Sequence, residues 1–474
     1  MNSPAPWRRW HSLLARRLCD AGWSVRADLG PTVPRGALDR LLALEARRFG
    51  GSLATRDAPP AELVDGPGTG DAVVYLTTGA DMVPTATPTF RLTINGHSDL
   101  AGGLAQVLRT GDLPELTLWL DDRAVLSARP MLSDRLWLSR MCDEILAGAV
   151  GLVESGLKRW QAGLLEPMEA PGMSPSTPSL MRYYLPNLVA QGARRAVAKL
   201  GSRRPFYWQV AYRPARPGID PLSPGLGNAP FTVLPDDGTR FYADPFVIAR
   251  SGGVFLFVEE FPYSLGRGII SVSQLASDGT FGTPREVLRE PHHLSYPQVF
   301  EQEGDVFMLP ESGGANQLVL YRAEEFPHRW ARDTVLLDGV DVNDATVVSR
   351  EGAYYLIGTE RLGPGSASDR MVVYHSPTLR GPWTPHPLNP ILIDRAGARP
   401  GGAVLKQDGR LWLKVQDGST AYGGGLGLRE IIDLNVHNVR FGPVVPIAMG
   451  TAWHRTGIHT LNIDEEWEVV DSAG

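Results

Sequence analysis

The chain has 474 residues, of which 43% are hydrophobic and 21% charged, so it is long enough and apolar enough to bury a sizeable core. Its net charge of −6 provides no general basic surface and excludes nucleic acid as an expected partner. Two cysteines supply neither a disulfide framework nor a cysteine-rich metal site, and 52 glycines with 39 prolines argue against a mainly helical fold.

A small α/β domain is predicted for residues 1–165. Apolar residues recur at helical spacing in 10–18 and 38–49, and short alternating segments typical of strands lie at 72–79, 90–96 and 116–122. A longer helical pattern runs from Ser133 to about Trp160, with Ser133 as the expected N-cap. We therefore expect strands and helices to form one α/β layer.

The N-terminal residues carry charge through the segment where an export signal would have its apolar core. No run of about eighteen apolar residues occurs, so no membrane-spanning helix is predicted. We expect a cytoplasmic protein, and a peripheral membrane contact is open to the arginines near the N-terminus, which are Arg8, Arg9, Arg16 and Arg17.

Residues 166–205 are predicted to connect two domains. Segment 167–179 is rich in proline and serine, as linkers are, and a second helical pattern runs from about Leu188 to Leu200. We place the second domain at 206–474.

An internal repeat organises the second domain. Four segments, anchored at Pro245, Pro297, Ala345 and Gly402, each have a glycine seven residues after the anchor, at Gly252, Gly304, Gly352 and Gly409. In each segment the glycine separates two alternating apolar strands, which is typical of a β-hairpin. The spacing of the anchors is close to the length of a four-stranded propeller blade.

A fifth unit combines GIHTLNIDEEWEVVDS near the C-terminus with WQVAYRP at 208–214, which would close a ring and remove exposed sheet edges. The sequence thus predicts a mainly β protein, a five-bladed β-propeller with a smaller N-terminal α/β domain. An open all-β sandwich is the alternative.

Acidic residues recur at equivalent places in these repeats, where inner strands begin or second strands end. Paired carboxylates at such places are what cleavage of a glycosidic bond requires, one protonated and one ionised. Asp244, Glu311 and Asp344 are the predicted catalytic residues, although such acids can also make turn hydrogen bonds.

The predicted substrate-binding residues share the same end of the strands or lie in the loops beside it. Arg399 can bind a carboxylate or phosphate or can neutralise the acids, and Tyr422 can stack on a sugar or support its glycine-rich turn. The remaining members of this set are Glu259, His293, Tyr296, Gln416 and His459. No histidine spacing matches a zinc motif and no phosphate-binding loop occurs, so neither a metal nor a cofactor is expected.

Eight motifs between residues 208 and 472 carry a family resemblance. In chain order they are YADPF, HLSYPQVF, FMLPES, FPHRW, LRGPWTPHPLNP, ARPGGAVL, VQDGSTAYGGGLGL and GIHTL. They resemble the N-terminal domain of the plant glucosamine inositolphosphorylceramide transferase family and its bacterial relatives, in which glycosyl transfer is attributed to a separate C-terminal domain.

That domain is similar in turn to furanosidase-type five-bladed propellers, including family 43 glycosidases and invertases. This second resemblance implies that Asp244 matches their catalytic base and that Asp344 lies near the position of their acid glutamate. Tyr296 stands where those glycosidases carry an aspartate, and Glu311 is an acid in a different place.

The first domain resembles a degenerate formyltransferase-like segment through DAVVYL, LTING and ELTLWLD. This resemblance implies structural support or partner docking, because Asn95 and His97 do not complete a formyltransferase set.

Together these observations favour an enzyme acting on the glycosidic bond of a furanose-like or related sugar, by hydrolysis or by transfer. The alternative is a noncatalytic propeller that binds carbohydrate or serves as a scaffold in glycoconjugate or natural-product biosynthesis. Either hypothesis implies a sugar or glycoconjugate as the partner.

Overall fold

The computed structural model describes residues 6–27, 36–60, 63–65, 72–75, 87–169, 172, 179–201, 207–216, 220–250, 252–451, 457–464 and 466–473. Most of the predicted linker, at 170–171 and 173–178, and the end of the predicted strand at 76–79 lie outside these residues. The chain divides into two compact units, unit 1 formed by 1–203 with 362–366 and 392–394, and unit 2 by the rest. The predicted domain limits stay predictions.

Unit 1 is an α/β unit whose main sheet has four strands in the order β3-β4-β5-β6. Strand β3 runs parallel to β4, and the other pairs are antiparallel. Its elements are α1 Arg9–Asp20, β1 Arg26–Ala27, α2 Ala37–Phe49, β2 Val64–Asp65, β3 Val73–Tyr75, β4 Thr89–Ile94, α3 Leu100–Thr110, β5 Leu116–Leu120, β6 Arg123–Ala128, α4 Leu138–Gln161 and α5 Leu180–Gly201.

Two helices of unit 1 begin elsewhere than the sequence predicts. Helix α4 begins at Leu138, with Trp137 and not Ser133 at its N-cap, because the amide and hydroxyl of Ser133 donate to the buried Glu144 side chain. Helix α5 begins eight residues before the predicted start and contains Pro186, a residue type that normally ends a helix.

Unit 2 is built from five sheets of four antiparallel strands. Their orders are β9-β10-β11-β12, β13-β14-β15-β16, β17-β18-β19-β20, β22-β23-β24-β25 and β26-β27-β7-β8. The strands are β7 Trp208–Pro214, β8 Thr232–Val233, β9 Arg240–Arg250, β10 Gly253–Pro262, β11 Ile269–Gln274, β12 Arg285–Leu288, β13 Ser295–Gln302, β14 Asp305–Glu311, β15 Gln317–Glu325, β16 Arg329–Asp338, β17 Val342–Arg350, β18 Ala353–Glu360, β19 Arg370–Ser376, β20 Thr384–Pro385, β21 Leu392–Ile393, β22 Leu405–Gln407, β23 Arg410–Asp417, β24 Gly425–Leu434, β25 Val439–Pro446, β26 Leu461–Ile463 and β27 Trp467–Ala473, of which β21 belongs to unit 1.

The repeat glycines form the turns that the sequence predicts. Gly304, Gly352 and Gly409 have φ of 88°, 79° and 74°, and the residue before each also has positive φ. Two consecutive left-handed residues define the type I′ turn, whose twist matches that of the strands it joins.

The fifth sheet joins both ends of unit 2, because β27 pairs with β26 on one side and with β7 on the other. Hydrophobic cores fill the spaces between consecutive sheets, as where Phe307 and Leu309 of β14 cluster with Leu356 of β18. The predicted fold class is confirmed: a mainly β, five-bladed propeller with an N-terminal α/β part.

Candidate functional site

Three inner strands carry the same local distortion. Asp244 on β9, Tyr296 on β13 and Asp344 on β17 have φ of 49°, 46° and 47°, and the strand register shifts at each of them. A left-handed residue of this kind in a β-bulge costs free energy and redirects its side chain relative to the flat ladder. The amide of each bulge residue donates to a carboxylate of the preceding sheet, namely Asp471, Asp244 and Glu311.

The second strands bring their own polar ends to the same place. Glu259, Glu311 and Thr359 pair with the residue before each bulge, and Gln416 and Asp471 hold the corresponding places on β23 and β27. We call Asp244, Glu259, Glu311, Asp344 and Asp471 the acid cluster.

The sequence prediction missed Asp471. The fifth hairpin has no turn glycine from which to count, since its turn is formed at Asp464 to Trp467. Alignment of its strand end with those of the other repeats was the signal that could have found this residue.

Asp344 and Arg399 form the central ion pair of the cluster. Arg399 donates to Asp344 at 2.6 and 3.1 Å and to Glu311 at 3.3 Å, and Gln416 adds a hydrogen bond to Asp344 at 2.6 Å. Burial alone would raise the pKa of Asp344, but the charge of Arg399 and hydrogen bonds with the Glu311 and Arg399 side chains hold it below its ordinary value. Asp344 is therefore ionised at neutral pH, and most of the hydrogen bonds that Arg399 donates within the cluster go to Asp344.

Asp244 is buried between the first and fifth sheets. Thr460 donates to one of its oxygens at 2.7 Å, and the Tyr296 amide donates to the other at 3.2 Å. Burial raises its pKa to about 6, against the attraction of His459 and together with the repulsion of Asp344 and Asp471. Asp244 thus changes its charge close to neutral pH.

His459 is fixed from three sides. Its Nδ1 lies 2.6 Å from Asp471, its Nε2 lies 3.8 Å from Asp244, and its ring stacks on Trp208 at 3.8 Å. Burial lowers the pKa of His459, but the carboxylates Asp471 and Asp244 outweigh it and raise the pKa.

Ligand atoms of Asp244, His459 and Asp471 lie within 4.8 Å of one another, as a cation site requires. However, Asp471 already accepts from the amides of Asp244, His459 and Thr460, and both Asp244 oxygens accept as well. These donors point at the oxygens a cation would use, so the arrangement fits a hydrogen-bonded network better than a metal centre. The expectation of no metal stays a prediction.

Glu259 differs from the other members of the acid cluster because its carboxyl group has no hydrogen-bond partner among the described residues, although the residue is only 6% exposed. Nε2 of His293, at 3.6 Å, is the nearest opposite group. Burial, and then the charges of Asp244, Glu311, Asp344 and Asp471, raise its pKa well above the ordinary value. Burial and Asp344 also raise the pKa of Glu311, and Arg399 opposes them.

Tyr422 lies at the solvent side of the cluster with 47% of its surface exposed. The Arg399 guanidinium lies 5.7 Å from its ring, and its edge contacts the rings of Trp208 and His459. Next to it, Gly423 has φ of 69° and approaches Trp208 so closely that a Cβ would lie 2.1 Å from the indole. The glycine-rich turn therefore supports the aromatic stack beside the cluster.

Tyr296 is fully buried. Its hydroxyl hydrogen-bonds with Thr346 at 2.8 Å and accepts from the Gly402 amide at 2.7 Å, so it links the second, third and fourth sheets. This geometry gives the phenol a structural use, and its predicted contact with substrate stays a prediction. Of the other predicted site residues, four belong to the acid cluster, and five contact a member of it or interact with one electrostatically, namely His293, Arg399, Gln416, Tyr422 and His459.

Residues 233–468 match the family model described as glucosamine inositolphosphorylceramide transferase 1, N-terminal. This part of the chain belongs to that family. The glucosamine inositolphosphorylceramide transferase 1 of Arabidopsis thaliana is 34% identical over 206 residues, which cover 43% of this chain and 27% of the plant protein. The protein of the same name from Oryza sativa subsp. japonica is 31% identical over 256 residues, covering 53% of this chain and 33% of the relative.

The chain therefore spans about a third of the length of these transferases. Among solved structures, it is similar to an exo-β-1,3-galactanase from Clostridium thermocellum, with 12% identity and a TM-score of 0.35 over 52% of this chain and 62% of that one. It is also similar to a family 117 glycoside hydrolase from Zobellia galactanivorans, with 11% identity and a TM-score of 0.37 over 56% and 90%. Likenesses this weak carry no conclusion about activity.

None of the described helices has the length and apolar character needed to cross a membrane. The formyltransferase-like resemblance of the N-terminal region stays a prediction.

Proposed function

We propose that unit 2 is a carbohydrate-active enzyme that moves a glycosyl group to water or to an acceptor hydroxyl at the acid cluster. The observation that carries this proposal is the meeting of five acids from four strand pairs, four of them buried and Glu311 half-buried, with Arg399 bound to two of them. Such a concentration of carboxyls, with Arg399 and His459 beside it, favours protonation of some carboxyls and ionisation of others. Glycosyl chemistry needs both forms in one place.

Asp344 is the ionised member. It accepts three hydrogen bonds, two from Arg399 and one from Gln416, and these stabilise its charge and leave it little capacity to take up a proton. We therefore assign Asp344 to charge stabilisation of an oxocarbenium-like transition state and to orientation of Arg399, and we do not retain it as the acid.

Asp244 is the base. A pKa of about 6 makes it ionised at neutral pH yet basic enough to take a proton from an attacking hydroxyl. The protonated acid then comes from Glu311 or Glu259, the two members whose pKa lies well above the ordinary range.

Groups at the solvent side would hold the sugar. Tyr422 offers an exposed aromatic face, and His293, whose Nδ1 accepts from the Gly268 amide at 2.8 Å, keeps its proton on Nε2 as a donor. The names of the plant relatives support glycosyl chemistry, and their partial coverage leaves transfer and hydrolysis both within the proposal.

The test is a panel of activated glycosides, nucleotide sugars and lipid-linked sugars offered to the wild type and to Asp244→Asn. We expect the substitution to lower turnover by about 10²- to 10⁴-fold with sugar binding retained, because it removes the base. Glu260→Gln is the matched control, since Glu260 is equally buried next to Glu259 but bonds to Arg240 and Ser271.

Equal turnover by Asp244→Asn and the wild type would contradict the proposed enzymatic function of the acid cluster. Binding of a sugar that neither protein converts would favour the noncatalytic carbohydrate-binding alternative.

A further inference from the structure

Glu259 is the one member of the acid cluster that the protein leaves without a hydrogen bond among the described residues. Glu311 accepts from the Asp344 amide and from Arg399, and the other three members each accept from at least two donors. A buried carboxylate without a donor is costly, whereas a buried carboxylic acid is much less so. The geometry therefore favours a proton on Glu259.

The groups that face Glu259 act in the same direction. Asp244, Glu311, Asp344 and Asp471 all repel its negative form. His293 is the nearest counter-group, but burial and Arg399 lower its pKa, so it faces Glu259 as a neutral ring.

We propose that Glu259, rather than Glu311, is the proton donor of the site, an inference that rests on the proposed function. In the step, the glycosidic C–O bond breaks and its electron pair stays with the leaving oxygen, which takes the Glu259 proton. The oxygen of water or of an acceptor hydroxyl forms the new bond to the sugar carbon and gives its proton to Asp244.

Infrared spectroscopy of the unliganded protein at neutral pH tests the protonation without any substrate. We expect the C=O stretching band of a protonated carboxylic acid, lost in Glu259→Gln and kept in Glu311→Gln. Persistence of this band in Glu259→Gln would overturn the inference, even if the enzyme proves active.

A second experiment compares the turnover of glycosides whose leaving groups do or do not need a proton. Glu259→Gln should lower turnover of alkyl glycosides by about 10²- to 10⁴-fold and that of nitrophenyl glycosides much less, because a nitrophenolate leaves without protonation. Equal losses on both would overturn the donor role. If no glycoside is turned over at all, the proposed function fails while the infrared result still reports on Glu259.

A second, independent observation concerns helix α5 of unit 1. Leu180 and Tyr184 are buried, whereas Leu185, Val189 and Val197 are 56%, 73% and 68% exposed. These three residues are spaced by four and eight positions, so they lie along one side of the helix.

All the charged side chains of α5 are positive. Residues 180–201 contain no acid and four basic residues, which are Arg182, Arg194, Arg195 and Lys199. Arg195 is bound to Asp134, while Arg182 and Arg194 are exposed. Exposed aliphatic side chains flanked by arginine are typical of helices that lie in the interface of an anionic membrane.

We propose that this side of α5 docks on an anionic lipid surface. A second copy of the chain fits less well, because it would bring the same arginines together with no acid on the helix to pair them. The N-terminal arginines predicted from the sequence are less suited, since Arg8 is bound to Asp39 and Arg17 to Glu154.

Vesicle sedimentation of the full chain tests the surface. We expect binding to phosphatidylcholine vesicles that contain phosphatidylserine, little binding to pure phosphatidylcholine, and about tenfold weaker binding of Val189→Asp. Leu222→Asp is the matched control, because Leu222 is 71% exposed in unit 2. Unchanged binding of Val189→Asp, or a wild-type dimer that this substitution dissociates, would overturn the proposal.

Discussion

Both units bury acids, but they satisfy them in different ways. In unit 1 each buried acid of the described residues has donors of its own: Glu154 binds Arg17 and Lys158, Glu45 accepts from Tyr184 and Ser139, Asp143 from Leu53, Glu144 from Ser133 and Asp394 from Arg129. In unit 2 two members of the acid cluster share Arg399, and Glu259 has no donor among the described residues.

The difference distinguishes buried carboxyls that stabilise the fold from buried carboxyls that can take part in proton transfer. An acid with donors of its own holds the elements that carry those donors together. Acids that share too few donors have linked protonation states, which is costly for folding and is characteristic of sites that move protons.

Removal of the shared cation should give the largest effect. Arg399→Met leaves Asp344 and Glu311 without their guanidinium, and we expect the free energy of unfolding to fall by about 3–5 kcal/mol. Arg17→Met in unit 1 should cost only about 1 kcal/mol, because Glu154 keeps Lys158 at 2.9 Å.

Chemical denaturation at pH 7 measures both variants. Equal losses for Arg399→Met and Arg17→Met would remove the distinction between shared and private donors.

The pH dependence of stability should be next in size. Between the ordinary pKa of 3.8 and about 6, the folded protein keeps a proton on Asp244 that the unfolded chain has released. The contribution of Asp244 to the free energy of unfolding therefore falls as the pH rises through this window, by about 1.4 kcal/mol per pH unit.

Asp244→Asn should remove this contribution, and Asp338→Asn, at an exposed position, should leave the slope unchanged. Denaturation curves at several pH values between 4 and 6 measure the two slopes, and an unchanged or steeper fall in Asp244→Asn would contradict the raised pKa. Asp143→Asn extends the test to unit 1, because burial raises the pKa of Asp143 to about 6 as well.

The smallest effect concerns the aromatic support of the site. Gly423→Ala and Gly111→Ala both place a side chain at a positive φ, 69° and 76°, but only at Gly423 does the new Cβ meet Trp208. We expect Gly423→Ala to cost about 1–3 kcal/mol more than Gly111→Ala, because packing against the indole is added to the backbone strain.

Thermal unfolding of the two variants gives the difference. A similar loss in both would mean that Trp208 moves aside without a cost in free energy, and would contradict the support of the aromatic stack by Gly423.

Much of the fold can be predicted from the sequence because turns and strand alternation depend on residues close together in the chain. A turn glycine fixes a type I′ hairpin through its own φ, and alternation along the next strand fixes which side chains face the core. Four hairpins with the same spacing therefore predict the repeat and the position of Glu259, Glu311 and Gln416. The fifth hairpin lacks the glycine, and Asp471 was missed for that reason.

The sequence by itself determined the mainly β repeat, the residues at the strand ends and the family of residues 233–468. Only the tertiary structure decided that Arg399 forms an ion pair with Asp344 and that the Tyr296 hydroxyl accepts from the Gly402 amide. It also decided that the Glu259 side chain has no hydrogen-bond donor among the described residues. The physical reason is that hydrogen-bond partners and electrostatic fields come from strands far apart in the chain, whereas turns and strand alternation depend on neighbouring residues.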